Sequence, residues 1–330
     1  MGDVLFYFAP MEGVTTAALR CVHHRMFPGI DRYFTPFLTA TQTRSFRTGE
    51  LRDIDPTQND GMPLTVQVQA SDPELFVWTA LRMESLGYTQ VNLNLGCPAS
   101  TAVSRGRGAG MLADPQRLDR FFDEAFGQLE KAAARVQITV KTRVGLDDIQ
   151  TAPALLQVFN RYPICELIVH PRLRTDYYGG EPRLDVFEDW LRGSIHPVCY
   201  NGDITTSSVF EMIRSRFPQL ERFMIGRGLL RNPALARELA GGAPLTGREL
   251  ADYMQEVLAA HVRSGIGVHN AVWRMKELWS YIRPAFPESG RGFKMLRKAR
   301  DLPAYEAAIQ EIFTGEMVKP EGIGAAPVRL

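Results

Sequence analysis

The sequence has few cysteines and no Cys-x-x-Cys pair; Cys21, Cys97, Cys165 and Cys199 stand far apart. Zinc and iron–sulfur centres draw on closely spaced thiols, so no metal site is expected. Four scattered cysteines in 330 residues do not make a disulfide framework either, and reduced thiols in a cytoplasmic protein are the expectation. Charge of one sign is missing: the formal net charge is +1. No whole-molecule field therefore draws nucleic acid, and any RNA contact must come from a local patch. No stretch approaches the roughly 18 uninterrupted apolar residues of a membrane span. The opening segment MGDVLFYFAPMEG lacks the basic start and long apolar core of a signal peptide. A doubly wound dinucleotide-binding sheet would carry G-x-G-x-x-G after its first strand. APMEGVTT stands there instead.

What is present is a rhythm. Short β-rich runs recur at 5–10, 32–38, 63–69, 90–96, 137–145, 166–172, 197–203 and 222–228. Helical patterns separate most of them. In SDPELFVWTALRMESLG, Ser71 reads as the cap, Pro73 as the first turn and Gly87 as the stop. Asp114-Pro115 opens the next helix in the same way. The segment 39–62 shows no clear helix, and 173–196 is irregular apart from a short helix at DVFEDWL. Eight βα units in series predict a (β/α)8 TIM barrel over residues 1–241. After the breaker cluster GGAPLTG, four helical patterns predict a C-terminal α-helical bundle over 245–314, and 315–330 reads as a loose tail.

Barrel chemistry belongs at the carboxyl ends of the strands, where alternate residues point inward. Those ends carry Gln67 and Gln69, Asn92 and Asn94, Lys141 and Arg143, His170 and Arg172, and Asn201 and Asp203. A lysine inside an apolar strand is costly unless an anion meets it, which marks Lys141. His170 with Arg172 suits a phosphate or an anionic ring; a satisfied core histidine is the plainer alternative. The turns holding Gly202, Gly226 and Gly228 allow close backbone approach to a phosphate, and Arg227 adds charge. Cys97 follows Gly96 and precedes Pro98, so it stands on a loop at the barrel mouth. A thiol is mostly protonated at neutral pH, which suits a proton donor better than a nucleophile. The other three cysteines read as structural.

Residues 263–300 hold nine Lys or Arg against two acids, a local excess of seven. Trp273, Trp279, Tyr281 and Phe293 are interleaved with them. Either a solvated helical face over an aromatic core or an RNA-binding surface would read this way; in a chain of such low net charge the excess favours RNA.

The motifs APMEGVT, VQV-x-ASDP, VNLNLGCP, ITVKTRVG, LIVHPR, YNGDI and MIGRG, in that order, resemble the tRNA-dihydrouridine synthase family. The resemblance spans roughly residues 4–315. It implies FMN at the barrel mouth: Ala9, Pro10 and Met11 against the ring system, Gln67, Lys141 and His170 at its polar edge, and Asn201, Gly202, Asp203, Gly226 and Arg227 on the ribityl phosphate. It implies reduction of the flavin by NADPH, hydride transfer from flavin N5 to C6 of a uracil, and protonation of C5 by Cys97. Asn94 would contact the base, Arg143 and Arg172 the base or RNA backbone, and Arg274 and Lys276 the tRNA. A monomer without metal or membrane attachment is expected. Four positions depart from the family pattern: Ser100 replaces a lysine, Pro171 and Leu173 interrupt a His-Gly-Arg-Thr, and Asp176 replaces a glutamine. The competing readings are a flavin barrel acting on a small enone or pyrimidine, and an RNA-binding paralogue without activity.

Overall fold

A computed structural model describes residues 4–59, 61–286 and 290–315. The expected tail at 316–330 lies outside the described residues.

Eight parallel strands close into a barrel in sequence order. They are β1 (Leu5–Phe8), β2 (Arg32–Phe34), β3 (Leu64–Val68), β4 (Gln90–Leu95), β5 (Gln137–Arg143), β6 (Leu167–His170), β7 (Val198–Tyr200) and β8 (Arg222–Ile225). The helices are α1 (Ala17–Met26), α2 (Thr48–Asp53), α3 (Pro73–Ser85), α4 (Ser100–Val103), α5 (Pro115–Lys131), α6 (Ala152–Phe159), α7 (Leu184–Gly193) and α8 (Ser207–Arg216). They continue with α9 (Arg227–Arg231), α10 (Leu235–Leu239), α11 (Gly247–Arg263), α12 (Val268–Ile282), α13 (Arg291–Lys298) and α14 (Leu302–Gly315). The expected (β/α)8 architecture with C-terminal helices is thus observed. The polar segment 39–62 contains a helix after all, the short α2.

The grouping differs from a cut near residue 241. One compact unit comprises residues 1–10, 32–202 and 217–224; the other comprises 11–31, 203–216 and 225–330. α1 and α8 therefore group with the C-terminal helices.

Within the first unit, the strand runs are shorter than their apolar stretches. β2 stops at Phe34 because Pro36 has no N–H for a ladder. Pairing resumes beyond it: Leu38 N–H donates to Gln67 O, and Gln69 N–H to Leu38 O, each at 2.8 Å. Leu5 N–H donates to Glu221 O at 2.8 Å, closing the barrel. α3 is capped by Asp72, not Ser71: its carboxylate accepts from the N–H groups of Glu74 and Leu75. A carboxylate placed one residue before Pro73 reaches both orphan donors of the first turn.

The barrel interior is divided by depth. At the amino end of the strands, Glu166 sits almost fully buried and accepts from Tyr7 Oη at 2.9 Å. Arg32 and Arg222 approach the same carboxylate at 3.4 and 3.2 Å, and Arg32 also donates to Gln90 Oε1 at 2.7 Å. These groups come from the starts of β2, β4, β6 and β8, so their contact is a layer across the barrel floor. Above it Tyr7, Ala9, Phe34, Ile168, Cys199 and Met224 form a dry cluster.

In the second unit His23 of α1 bonds Pro233 O at 2.9 Å, and Phe27 packs edge-on against Tyr253 of α11 at 5.4 Å. Trp279 of α12 donates to Tyr305 Oη at 2.9 Å and packs against Phe286, Phe293 and Phe313. Among the described residues no helix is long and apolar enough to cross a membrane.

Glu166 faces two cations; in its absence Arg32 would lose its carboxylate partner and Arg222 would keep only Glu221, at 3.7 Å. Glu166→Leu should lower stability by roughly 2–4 kcal/mol in urea unfolding. An unmoved midpoint would show that the floor layer does not hold the barrel closed.

Candidate active site

Burying side-chain amides inside a barrel demands that each find partners. Four polar residues on adjacent strands meet this demand as one chain. Asn94 Nδ2 donates to Gln67 Oε1 at 2.7 Å. Gln67 Nε2 donates to Asn92 Oδ1 at 2.8 Å, and Asn92 Nδ2 to Thr139 Oγ1 at 2.9 Å. The register makes this possible: Gln67 sits opposite Asn92, and Asn92 opposite Thr139.

The chain runs in one direction, which leaves Asn94 Oδ1 as its free acceptor end. That oxygen takes the N–H of Gly96 at 3.0 Å and of Cys97 at 2.9 Å. Arg143 Nε holds Gly96 O at 2.9 Å from the other side, and Ala109 N–H donates to Cys97 O at 3.1 Å. The turn carrying Cys97 is therefore fixed on both faces, while its thiol is free and half-buried.

Lys141 is opposite Asn94 across the β4–β5 ladder. Among the described residues its ammonium has no hydrogen-bond or ion-pair partner. Burial pulls the amine down to about 7 from an ordinary 10.5, with the Arg143 charge adding to the effect. A cation poised this way is one that an anionic ligand would hold in its charged form.

Arg143 and Arg172 bond backbone carbonyls. Both are fully buried. Beyond Gly96, Arg143 donates to Leu173 O at 2.8 Å and to Tyr177 O at 2.7 Å. Burial lowers it to about 10, so it stays charged at neutral pH. Arg172 donates to Gly179 O at 3.1 Å and Gly180 O at 2.5 Å, with His170 Nε2 at 3.2 Å. An arginine N–H only donates, so that histidine nitrogen accepts and the ring proton sits on Nδ1. These guanidiniums bind backbone carbonyls of the 173–180 turn. Asp176 supports the same turn: burial alone would raise its carboxyl, but the Arg183 partner outweighs this and lowers it.

The remaining residues lie as follows. Ala9 is part of the dry barrel cluster. Pro10 follows it, and Asn201 Nδ2 donates to Met224 O at 2.8 Å. A Cβ on Gly202 would lie 2.5 Å from Tyr200 Oη, so that position accepts no side chain. In the second unit Met11 N–H donates to Thr15 Oγ1 at 2.8 Å. Asp203 pairs with Arg227, directly after Gly226, which caps α9. Arg274 donates to Gly13 O, and Lys276 to Arg297 O at 3.2 Å. The aromatics between the basic residues split: Trp279 and Tyr281 are core, and Trp273 is 60% exposed. Ser100 opens α4 and is exposed, as is Arg105. The sequence places Gln69 and Asn92 at the inward strand ends without assigning them a role, and Thr139 is not among those residues. The Gln-x-Gln and Asn-x-Asn alternation signals Gln69 and Asn92; Thr139 shares the alternation of Lys141 and Arg143, which Thr142 does not. Among the described residues no cluster of His, Cys, Asp and Glu could hold a metal.

The Lys141 amine titrates near 7 in the fold and near 10.5 unfolded. Its penalty on folding is full below pH 7 and fades between those two values. Lys141→Met should therefore stabilise the ligand-free protein by roughly 1–3 kcal/mol near pH 6, and by much less near pH 10, in urea unfolding. A variant less stable than the parent near pH 6 would contradict this.

The chain is 28% identical to a tRNA-dihydrouridine(16) synthase of Ralstonia nicotianae, over 95% of this chain and 98% of the relative. It is 28% identical to a tRNA-dihydrouridine(16) synthase of Escherichia coli O157:H7, over 81% of this chain and 84% of the relative. Among solved structures, morphinone reductase superposes with a TM-score of 0.51 at 11% identity, covering 73% of this chain and 86% of that one; the likeness is one of fold. A family model described as dihydrouridine synthase matches residues 7–278. A thiol held at the end of β4 beside an inward lysine is thus found in a chain that belongs to the dihydrouridine synthase family.

Proposed function

We propose that this protein reduces the C5–C6 double bond of uridine in tRNA to 5,6-dihydrouridine, with FMN as cofactor and NADPH as reductant. The uridine is the one at position 16, the position named in the relatives' descriptions. The observation that carries the reading is the Cys97 thiol, fixed by Asn94 and Arg143 next to the unpartnered ammonium of Lys141.

The residues suit a flavin. Lys141 supplies a cation without an internal anion, which matches the negative charge of a reduced ring. Gln67 and His170 add polar groups at the same strand ends, with Ala9, Pro10 and Met11 as the apolar side. Asn201, Gly202, Asp203, Gly226 and Arg227 would hold the ribityl phosphate. Bound there, FMN reduced by NADPH supplies the hydride that goes to C6. Cys97 holds the proton that goes to C5, and Asn94 sets where that thiol stands. The target base must leave its stack to reach this depth. Arg143 and Arg172 act by fixing the 173–180 turn and by their charge. RNA binding falls to exposed cations: Arg283, Arg291, Lys294, Arg297, Lys298 and Arg300, with Arg274 and Lys276 of α12 behind them. A tRNA substrate and free thiols support a cytoplasmic site for the activity.

Dihydrouridine mapping in tRNA from a strain lacking the gene tests this directly. Position 16 should revert to uridine and other positions should not; unchanged modification everywhere would sink the reading. Purified Cys97→Ala should bind flavin and be reduced by NADPH as before. Its reoxidation by unmodified tRNA should slow by about 10²–10⁴-fold. Full turnover in that variant would remove Cys97 as the proton donor.

A further inference from the structure

Gln69 lies two residues beyond Gln67, on the same inward alternation but nearer the barrel mouth. Its backbone is pinned by the bond from its N–H to Leu38 O at 2.8 Å. The residue is only 4% exposed. Its side-chain Nε2 is buried with no hydrogen-bond partner among the described residues. Leaving such a donor unmet costs about 1–3 kcal/mol, so its retention calls for a partner that appears at some stage.

Position identifies that partner. Gly108, at φ +54°, passes so close that a Cβ there would lie 2.9 Å from Cys97 Cβ and 3.1 Å from Gln69 Nε2. The amide nitrogen and the cysteine Cβ thus lie about 3 Å from one point beside Gly108, which brings them close to each other across its backbone. Ala109 N–H fastens that backbone to Cys97 O. Water does not reach the amide nitrogen. The nearby group that changes its need for a donor is the thiol. A neutral thiol is a weak acceptor, whereas a thiolate is a strong one.

We propose that Gln69 is a positioning residue for Cys97, its amide N–H donating to the sulfur when the thiol gives up its proton. The proposal rests on the proton-donor reading of Cys97 given above. In that step hydride adds to C6 of the uracil, and the C5–C6 pair moves to C5. The S–H bond of Cys97 breaks and its proton forms the new C5–H bond. The S–H electron pair stays on sulfur, where the Gln69 N–H meets it; water later returns the proton. The donor is in place beforehand, so it needs no reorganisation as charge develops.

The test is alkylation of Cys97 by iodoacetamide in the protein as isolated, followed by mass spectrometry of the Cys97 peptide. Near neutral pH, Gln69→Leu should alkylate about tenfold more slowly, because less thiolate is present. At high pH, where every thiol is ionised, the two rates should converge. Gln69→Met, of similar length and without a donor, should behave alike and serves if the leucine variant does not fold. Equal rates near neutrality, or a deficit of the same size at all pH values, would overturn the proposal; the latter would mean altered access only. Turnover on tRNA should fall in kcat with KM nearly unchanged; a change confined to KM would also overturn it. If the parent protein reduces no tRNA uridine, the functional reading fails, while the alkylation result still decides whether Gln69 supports the thiolate.

Discussion

The site depends on one constraint: amides buried between strands need partners, and those of Gln67, Asn92 and Asn94 find them in a single direction. Thr139 stands at one end and accepts from Asn92 at 2.9 Å. Asn92 accepts from Gln67, and Gln67 from Asn94. Each carbonyl oxygen along the chain is used by its neighbour, so only Asn94 Oδ1 is left over. It satisfies the first two N–H groups beyond β4 and thereby fixes the turn that carries the thiol. Reversing any one amide would oppose two donors or two acceptors at the next link, a costly arrangement in a dry barrel. The position of Cys97 is thus written into three strands.

Charge is distributed by depth to the same end. At the floor, Glu166 is matched to Arg32, Arg222 and the Tyr7 hydroxyl, with Glu221 and Gln90 as further partners of the two arginines, a layer whose role is stability. At the mouth, the cations outnumber their partners. Arg143 and Arg172 are absorbed by backbone carbonyls, which keeps their charge in place without exposing it. Lys141 alone of these three is left for a ligand. The contrast between ends follows the general rule for barrels, stability below and chemistry above.

Much of this was legible in the sequence. Eight strand runs, the Asn-x-Asn alternation and Cys97 between Gly96 and Pro98 gave the barrel and the location of the thiol. Three things were not legible, each for a physical reason. The partners of Arg143 are carbonyls of Gly96, Leu173 and Tyr177, the last a residue with a positive φ of 50° that no residue pattern announced. The grouping of α1 and α8 with the C-terminal helices is tertiary packing, carried by contacts such as Phe27 with Tyr253 that lie over 200 residues apart. The aromatics among the basic residues could have faced either way; Trp279 went to the core because its indole N–H found Tyr305.

The central claim is that Asn94 holds the turn that carries Cys97. Amide hydrogen exchange in Asn94→Leu tests it most directly. The N–H groups of Gly96 and Cys97 lose their acceptor and should exchange at least tenfold faster than in the parent, while Val91 and Leu93 within β4 keep their protection. Unchanged protection at Gly96 and Cys97 would contradict the account, since the turn would then owe its order to something other than Asn94.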